Sequence, residues 1–369
     1  MPEREMLREA EIVVVKIGTS VLTGGRDRLD AAYLHDIGAE IARLTTSGRR
    51  VVLVSSGAVG AGLGVLGLDR RPTDLGQLQG AAAAGQPELI RLWRDAFAVR
   101  DVRVAQVLVG RSDFDARDRF LNIRNCLTVL LERGVVPIVN ENDAVATEEI
   151  ALGDNDVLAS KVAHAAHADA LVILTSAPGV QDASGAVVER VTGADELLPH
   201  VRTDRTSQGR GGMSTKVEAA RAATRAGVIT VIAPGRPAES LGAVMRGERV
   251  GTLVAPRTDR PRSRDAWLAL AATPSGAVIV DEGAVRALRE RGASLLPKGV
   301  VRTTGDFGVG DVVTIETDGG APIARGLTNL ARHELERVKG LATHELASAL
   351  GRRVHDEVVH RDNMVLLAS

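Results

Sequence analysis

Over its first two-thirds the chain alternates short apolar runs with longer stretches rich in Ala, Leu and Arg. The runs Ile12–Ile17, Val51–Val54, Val102–Val109, Val135–Val139, Ala170–Leu174 and Val228–Ile232 are β-branched and nearly continuous, the pattern of strands covered on both faces. Between them Ala31–Thr46, Gln86–Val99, Arg119–Arg133, Asp156–Ala166 and Lys216–Ala226 read as helices. This order predicts an α/β fold with a mostly parallel sheet sandwiched by helices, and it puts ligands at the carboxyl ends of the strands. From Ala255 to Arg264 the sequence APRTDRPRSR is polar and aperiodic, which marks a boundary. Beyond it the texture changes to short strands at Ala277–Asp281, Val300–Thr304, Val312–Glu316, Pro322–Leu327 and Glu357–His360, with one helix at Gly283–Arg291. The expected organisation is a domain over residues 1–257, a linker over 258–274 and a small β-rich domain over 275–369.

Composition narrows the function. The chain has 369 residues with 46 basic and 47 acidic side chains, so no overall charge draws it to nucleic acid or an anionic membrane. Aromatic residues make up 2%, too few for a surface that stacks single-stranded bases. A single cysteine, Cys126, rules out an intramolecular disulfide; it is expected in the core, and a reducing cytoplasm is the expected setting. The charged opening MPEREMLREAE is unlike a signal peptide, and no apolar run has the length of a membrane span.

Glycine is spent in clusters that follow strands. Lys16-Ile17-Gly18-Thr19-Ser20 sets a lysine beside a small-residue turn, a placement suited to phosphate. Ser55-Ser56-Gly57-Ala58-Val59-Gly60-Ala61-Gly62 also follows a strand, and Gly209-Arg210-Gly211-Gly212-Met213-Ser214-Thr215-Lys216 opens a helix. No Walker-type motif is present. Gly62-x-Gly64-x-x-Gly67 fits the dinucleotide pattern by letter but lies eight residues past its strand, so an oxidoreductase is set aside. Asn140-Glu141-Asn142-Asp143 and Gly153-Asp154-Asn155-Asp156 form two polar clusters that favour ligand contact over simple turns. His164 and His167 are spaced to share a helical face, but no third ligand joins them and no metal site is assigned. Arg111, Arg117, Arg119 and Arg124 read as a solvated face or a subunit contact.

Taken in order, VVVKIGTSVLTGG, LVSSGAVGAG, VPIVNENDAVATEE, GDNDVLAS and GRGGMSTKVEAA resemble the glutamate 5-kinases of the amino-acid kinase superfamily, along essentially the whole chain. The tail VDEGAVRALRERGASLLPKGV is similar to a PUA domain. The resemblance implies the amino-acid kinase fold with a PUA-like barrel. It implies transfer of phosphate from ATP, with Mg²⁺, to the side-chain carboxylate of L-glutamate, the first step of proline synthesis. By motif matching Lys16, Asp154 and Lys216 are the catalytic residues, Asp154 orienting the lysines. Ser56, Asp143 and Asn155 fall on the glutamate side, Asp143 accepting from the substrate ammonium. Lys16, Gly18, Thr175, Ser176, Arg210, Gly211, Gly212, Met213, Ser214, Thr215 and Lys216 fall on the ATP side. The implied partners are proline as feedback inhibitor, a glutamyl phosphate reductase and further copies of the chain. Two stretches depart from the family pattern, Ser176-Ala177-Pro178-Gly179-Val180 where an Asp usually follows the threonine, and Ala151-Leu152 before Gly153. The alternatives are a related kinase for aspartate or acetylglutamate, or an RNA-binding role through the tail.

Overall fold

A computed structural model describes residues 3–114, 117–145, 155–200, 212–256, 274–352 and 355–367. The chain divides into two compact units, Met1–Arg257 and Thr258–Ser369. The strands of the first unit are β1 (Ile12–Ile17), β2 (Arg50–Ser55), β3 (Arg103–Val109), β4 (Val135–Glu141), β5 (Ala170–Thr175), β6 (Arg190–Thr192), β7 (Ile229–Pro234) and β8 (Thr252–Ala255). They form one eight-stranded sheet in the order β3-β4-β2-β1-β5-β7-β8-β6. All neighbours run parallel except β7 and β8, which are antiparallel. The helices are α1 (Glu3–Glu9), α2 (Thr19–Thr23), α3 (Ala31–Thr46), α4 (Ala58–Val65), α5 (Leu75–Ala98), α6 (Arg117–Glu132), α7 (Asn155–Ala165), α8 (Met213–Arg225) and α9 (Ser240–Met245).

Successive strand residues point to opposite faces, so each strand feeds two cores. Val13, Val15, Ile17, Val51 and Leu53 pack with side chains of α3, α5 and α9 on one face. Val14, Val52, Val54 and Leu171 pack with α6, α7 and α8 on the other. The same alternation sends Lys16 and Ser56 toward α7 and α8 and sends Ser55 toward α5. Strand β4 obeys it too, with Val136 and Ile138 on the α5 side and Val139 on the α7 side.

Helix α5 starts at Leu75 rather than at the expected Gln86, running through Gly76, Gly80, Gly85 and Pro87. Gly85 on this helix and Gly62 on α4 allow the two helices to approach closely. A Cβ on Gly62 would sit 1.8 Å from the Ala81 carbonyl oxygen, and one on Gly85 would sit 1.9 Å from that of Ala58. Gly62 of the second glycine cluster is therefore spent on helix packing, while Gly64 and Gly67 of the dinucleotide look-alike have open space where a side chain would stand. Only Gly57 in this cluster has a left-handed backbone, φ 112°, where it caps α4.

Helix α6 corrects two expectations. Its buried positions are Leu121, Arg124, Leu127 and Leu131, a helical stripe. Arg124 falls on that stripe and is only 2% exposed, so it does not belong to a solvated arginine face. Cys126 falls off the stripe and is exposed rather than in the core. Arg119 is exposed and pairs with Asp113 at 2.8 Å. The expected histidine face is also corrected: α7 ends at Ala165, and His167 lies beyond it at φ 50°.

The ends of the unit are tied together. Arg4 on α1 donates to the Glu248 and Glu189 carbonyls, and Arg8 donates to the Arg246 carbonyl at 2.6 Å, beside the segment that leads into β8.

The second unit holds β9 (Gly276–Val280), β10 (Val300–Gly305), β11 (Val312–Thr317), β12 (Pro322–Leu327) and β13 (Met364–Leu366), with helices α10 (Glu282–Arg291), α11 (Arg332–Val338) and α12 (Leu346–Leu350). The strand order is β10-β9-β11-β12-β13, with β9 and β11 parallel and the other pairs antiparallel. The strand expected at Glu357–His360 is reduced to a single bridge between Leu295 and Val359. Val358 and Val359 are buried as core plugs, and the last paired strand is β13 instead.

Candidate active site

The carboxyl ends of β1, β2, β4 and β5 meet the first turns of α7 and α8, where the polar residues singled out in the sequence converge. Lys16 stands one residue before the end of β1 on the face that α7 and α8 cover. Gly18 is N-cap to α2, and a Cβ there would lie 3.2 Å from Lys16 Nζ, so glycine leaves room for the ammonium group. Lys16 Nζ lies 2.5 Å from Asp156 Oδ1, and Lys216 Nζ lies 3.0 Å from Asp156 Oδ2. One carboxylate thus holds two ammonium groups side by side, all three residues being buried. Burial alone would push the Asp156 carboxyl up, but the charges and hydrogen bonds of Lys16 and Lys216 outweigh it and hold the carboxyl below its ordinary value. Thr215 Oγ1 lies 3.1 Å from Asp156 Oδ2 and 2.9 Å from the Gly212 carbonyl, which ties the start of α8 to the same carboxylate.

Asp154, expected to orient the lysines, lies outside the described residues, as do Arg210 and Gly211. Among the described residues the carboxylate that bridges the lysines is Asp156, a residue given no role of its own in the sequence reading. The signal was present: Asp156 shares a helical stripe with the buried Ala159 and Ala163, and a carboxylate on such a stripe needs a cationic partner. Thr175 is buried at the end of β5, and its carbonyl accepts from Gly235 N at 2.7 Å. Ser176 and Ser214 are exposed, while Gly212 and Met213 are half-buried at the start of α8.

The next side chain on α7 builds a different surface. Asn155 Nδ2 donates to Ser56 Oγ at 2.8 Å and to Asn140 Oδ1 at 3.0 Å. Asn140 Oδ1 also accepts from Glu141 N, and Asn140 Nδ2 reaches Gln86 Oε1 on α5 at 3.3 Å. With both amide protons of Asn155 engaged, its Oδ1 is buried without a donor among the described residues. A buried acceptor of this kind calls for a donor from a ligand. Ser56 is further held by its N–H, which donates to the Ile17 carbonyl at 3.1 Å. Asp143, three residues after Asn140, is half-buried. Burial pushes its carboxyl up to about 6, Glu141 adds to the rise, and the Arg71 guanidinium opposes it. Ser55, Gln86 and Trp93, which complete the network, were not assigned roles from sequence. The signal for the last two is their spacing, i and i+7 on one helix face.

Comparison with known proteins decides what these motifs belong to. Residues 11–232 match the amino acid kinase family, and residues 276–350 match the PUA domain. The chain is 43% identical over 382 residues to a glutamate 5-kinase of Moorella thermoacetica, with all of both chains covered. It is 42% identical over 362 residues to the glutamate 5-kinase of Caldanaerobacter subterraneus subsp. tengcongensis, covering 96% of this chain and 97% of that one. It is 44% identical over 375 residues to that of Anaeromyxobacter dehalogenans, covering 99% and 98%. The chain belongs to the glutamate 5-kinase family of amino acid kinases. As a member of that family it carries the α/β kinase fold followed by a β-rich PUA domain. No helix among the described residues is long and apolar enough to cross a membrane.

Proposed function

We propose that this chain transfers the terminal phosphoryl group of ATP to the side-chain carboxylate of L-glutamate, giving L-glutamyl 5-phosphate for proline synthesis. The observation that carries the reading is that consecutive residues of α7 face two chemistries. Asp156 gathers two lysines, a cationic seat for phosphate, while Asn155 presents a lone amide oxygen, an acceptor for an ammonium group.

The chemistry needs no general base. A glutamate side chain has an ordinary pKa near 4.3 and is ionised at pH 7. The barrier lies in bringing an anion up to a polyanion, so catalysis rests on positioning and on positive charge. Two ammonium groups gathered in a buried place act more strongly on a phosphoryl group than they would in water. In this reading Lys16 and Lys216 bear on the transferring phosphoryl group and Asp156 holds them in place. Gly18, Thr175, Ser176 and the segment 210–216 line the ATP side. Ser56, Asp143 and Asn155 take the amino acid, with the Asp143 carboxylate paired to its ammonium. Mg²⁺ would neutralise further charge on the β- and γ-phosphates.

The kinase activity is assigned to the first unit. A cytoplasmic setting agrees with the lone cysteine, and the family resemblance supports inhibition by proline, a homo-oligomer and delivery of the acyl phosphate to a glutamyl phosphate reductase. The test is ATP-dependent hydroxamate formation by the purified chain with L-glutamate, L-aspartate and N-acetylglutamate as acceptors. Glutamate is expected to give the highest kcat/KM. A faster release of ADP with either of the others would overturn the assignment of substrate.

A further inference from the structure

Helix α5 lies on the face of the sheet opposite α7, yet two of its side chains reach the polar network at the strand ends. Trp93 is fully buried, and its indole N–H donates to Ser55 Oγ at 2.9 Å. An indole can only donate, so the single Ser55 hydroxyl proton is directed elsewhere, to the Ser56 carbonyl at 2.9 Å. Seven residues earlier, Gln86 Oε1 accepts from Asn140 Nδ2 and, together with the Glu141 N–H that donates to Asn140 Oδ1, holds the end of the Asn140 amide that faces α7. Asn140 Oδ1 then faces Asn155 Nδ2, and Asn155 Oδ1 is the atom left over. Reversing the Asn140 amide would present a donor to Asn155 and invite its amide to reverse as well, turning the pocket from acceptor to donor.

We propose that Gln86 and Trp93 are positioning residues for the amino-acid substrate: from the far side of the sheet, α5 fixes the Ser56 peptide and the orientation of the Asn140 and Asn155 amides. This rests on the reading of the site as the seat of an amino acid bearing an ammonium group. Among the described residues their hydrogen bonds go to the Ser55 and Asn140 side of the site, so their influence falls on the acceptor. Strand alternation makes this possible, because Ser55 and Ser56 point to opposite faces and relay α5 to α7 through one peptide unit.

The experiment uses the full chain with Trp93→Phe and Gln86→Leu, each keeping most of the side-chain volume. KM for L-glutamate is expected to rise about fivefold, the worth of one neutral hydrogen bond, with KM for ATP held within about twofold. The decisive readout is selectivity between L-glutamate and glutarate, which lacks the ammonium group. In Gln86→Leu the ratio of their kcat/KM values is expected to fall about fivefold, as the freed amides accommodate the wrong ligand. A joint rise of both KM values with an unchanged ratio, or no change in either, overturns the proposal and leaves α5 a packing element. If Trp93→Phe does not fold, Ser55→Ala interrupts the same relay and is expected to give the same separation of the two KM values. A wild-type chain that turns over no glutamate would sink the functional reading itself. An active wild type with unshifted variants sinks only the role of α5.

Discussion

The two sides of the site are built from adjacent residues but on opposite principles. On the phosphate side charge is buried: Asp156 is 1% exposed and sits between two lysines that are themselves buried. On the amino-acid side the hydrogen-bonded network is neutral, a chain of half-buried Gln86 and buried Asn140, Asn155, Ser56, Ser55 and Trp93 in which nearly every donor has an acceptor, with the Glu141 and Asp143 carboxylates outside it. A buried ion pair gains little net stability, because desolvation consumes most of the attraction. Its use is a charge that is already in place when a polyanion arrives. A neutral network instead fixes direction, deciding which atom faces the ligand. The charged side should therefore govern turnover and the neutral side recognition.

The largest expected effect lies on the charged side. Asp156→Asn and Lys216→Ala should each lower kcat by about 10²-fold or more, as when a preorganised charge contact to the transferring group is removed. Asp156→Asn should also lower the melting temperature, since it removes the carboxylate that the two buried ammonium groups share. Either variant retaining near-wild-type kcat would break the division of labour. Next comes the pH profile. The Asp143 carboxylate is the form that pairs with an ammonium group, and it is lost as pH falls through about 6. KM for glutamate measured below that pH should climb by about tenfold per unit while KM for ATP stays flat, and Asp143→Asn should abolish the slope. Stability runs the other way. A carboxyl raised by burial favours the folded state at low pH and loses that contribution as pH rises through about 6. Asp143→Asn should thus melt higher than wild type above pH 6 and gain nothing near pH 3.

Asn155→Ala should raise KM for glutamate by about tenfold, removing the acceptor for the ammonium group, with a smaller change in kcat. The smallest effect is expected from Gly18→Ala, where the added methyl meets the flexible end of Lys16. A few-fold loss in kcat with KM for glutamate unchanged, in steady-state assays, would keep even this turn on the phosphate side.

Much of this was legible in the residues. The parallel core strands β1, β2, β4, β5 and β7 follow from uninterrupted β-branched runs, and the clusters around Lys16, Asn140, Asn155 and Lys216 follow from polar residues placed straight after them. What escaped depended on contacts between distant segments. Helix α5 begins amid glycines because Gly62 and Gly85 let two backbones touch, a tertiary reason that overrides local propensity. Arg124 is buried and Cys126 exposed because the position of a residue around α6, not its polarity, decides which face it joins. The same rule puts Asp156 between the lysines. Val358 and Val359 resemble a strand but fill the core of the second unit, where only Val359 finds a bridging partner.

The clasp made by Arg4 has a consequence in time. Arg4 and the Glu248 carbonyl it holds are 244 positions apart, so nearly the whole first unit must leave the ribosome before this part of the clasp can form. At roughly 10 residues per second that interval is about half a minute. Through it α1, with its buried Leu7, lacks the segment that locks it down. A pause in translation ahead of residue 248 would hold the nascent chain open at its first helix, and release from that pause would let the first and last parts of the unit close together.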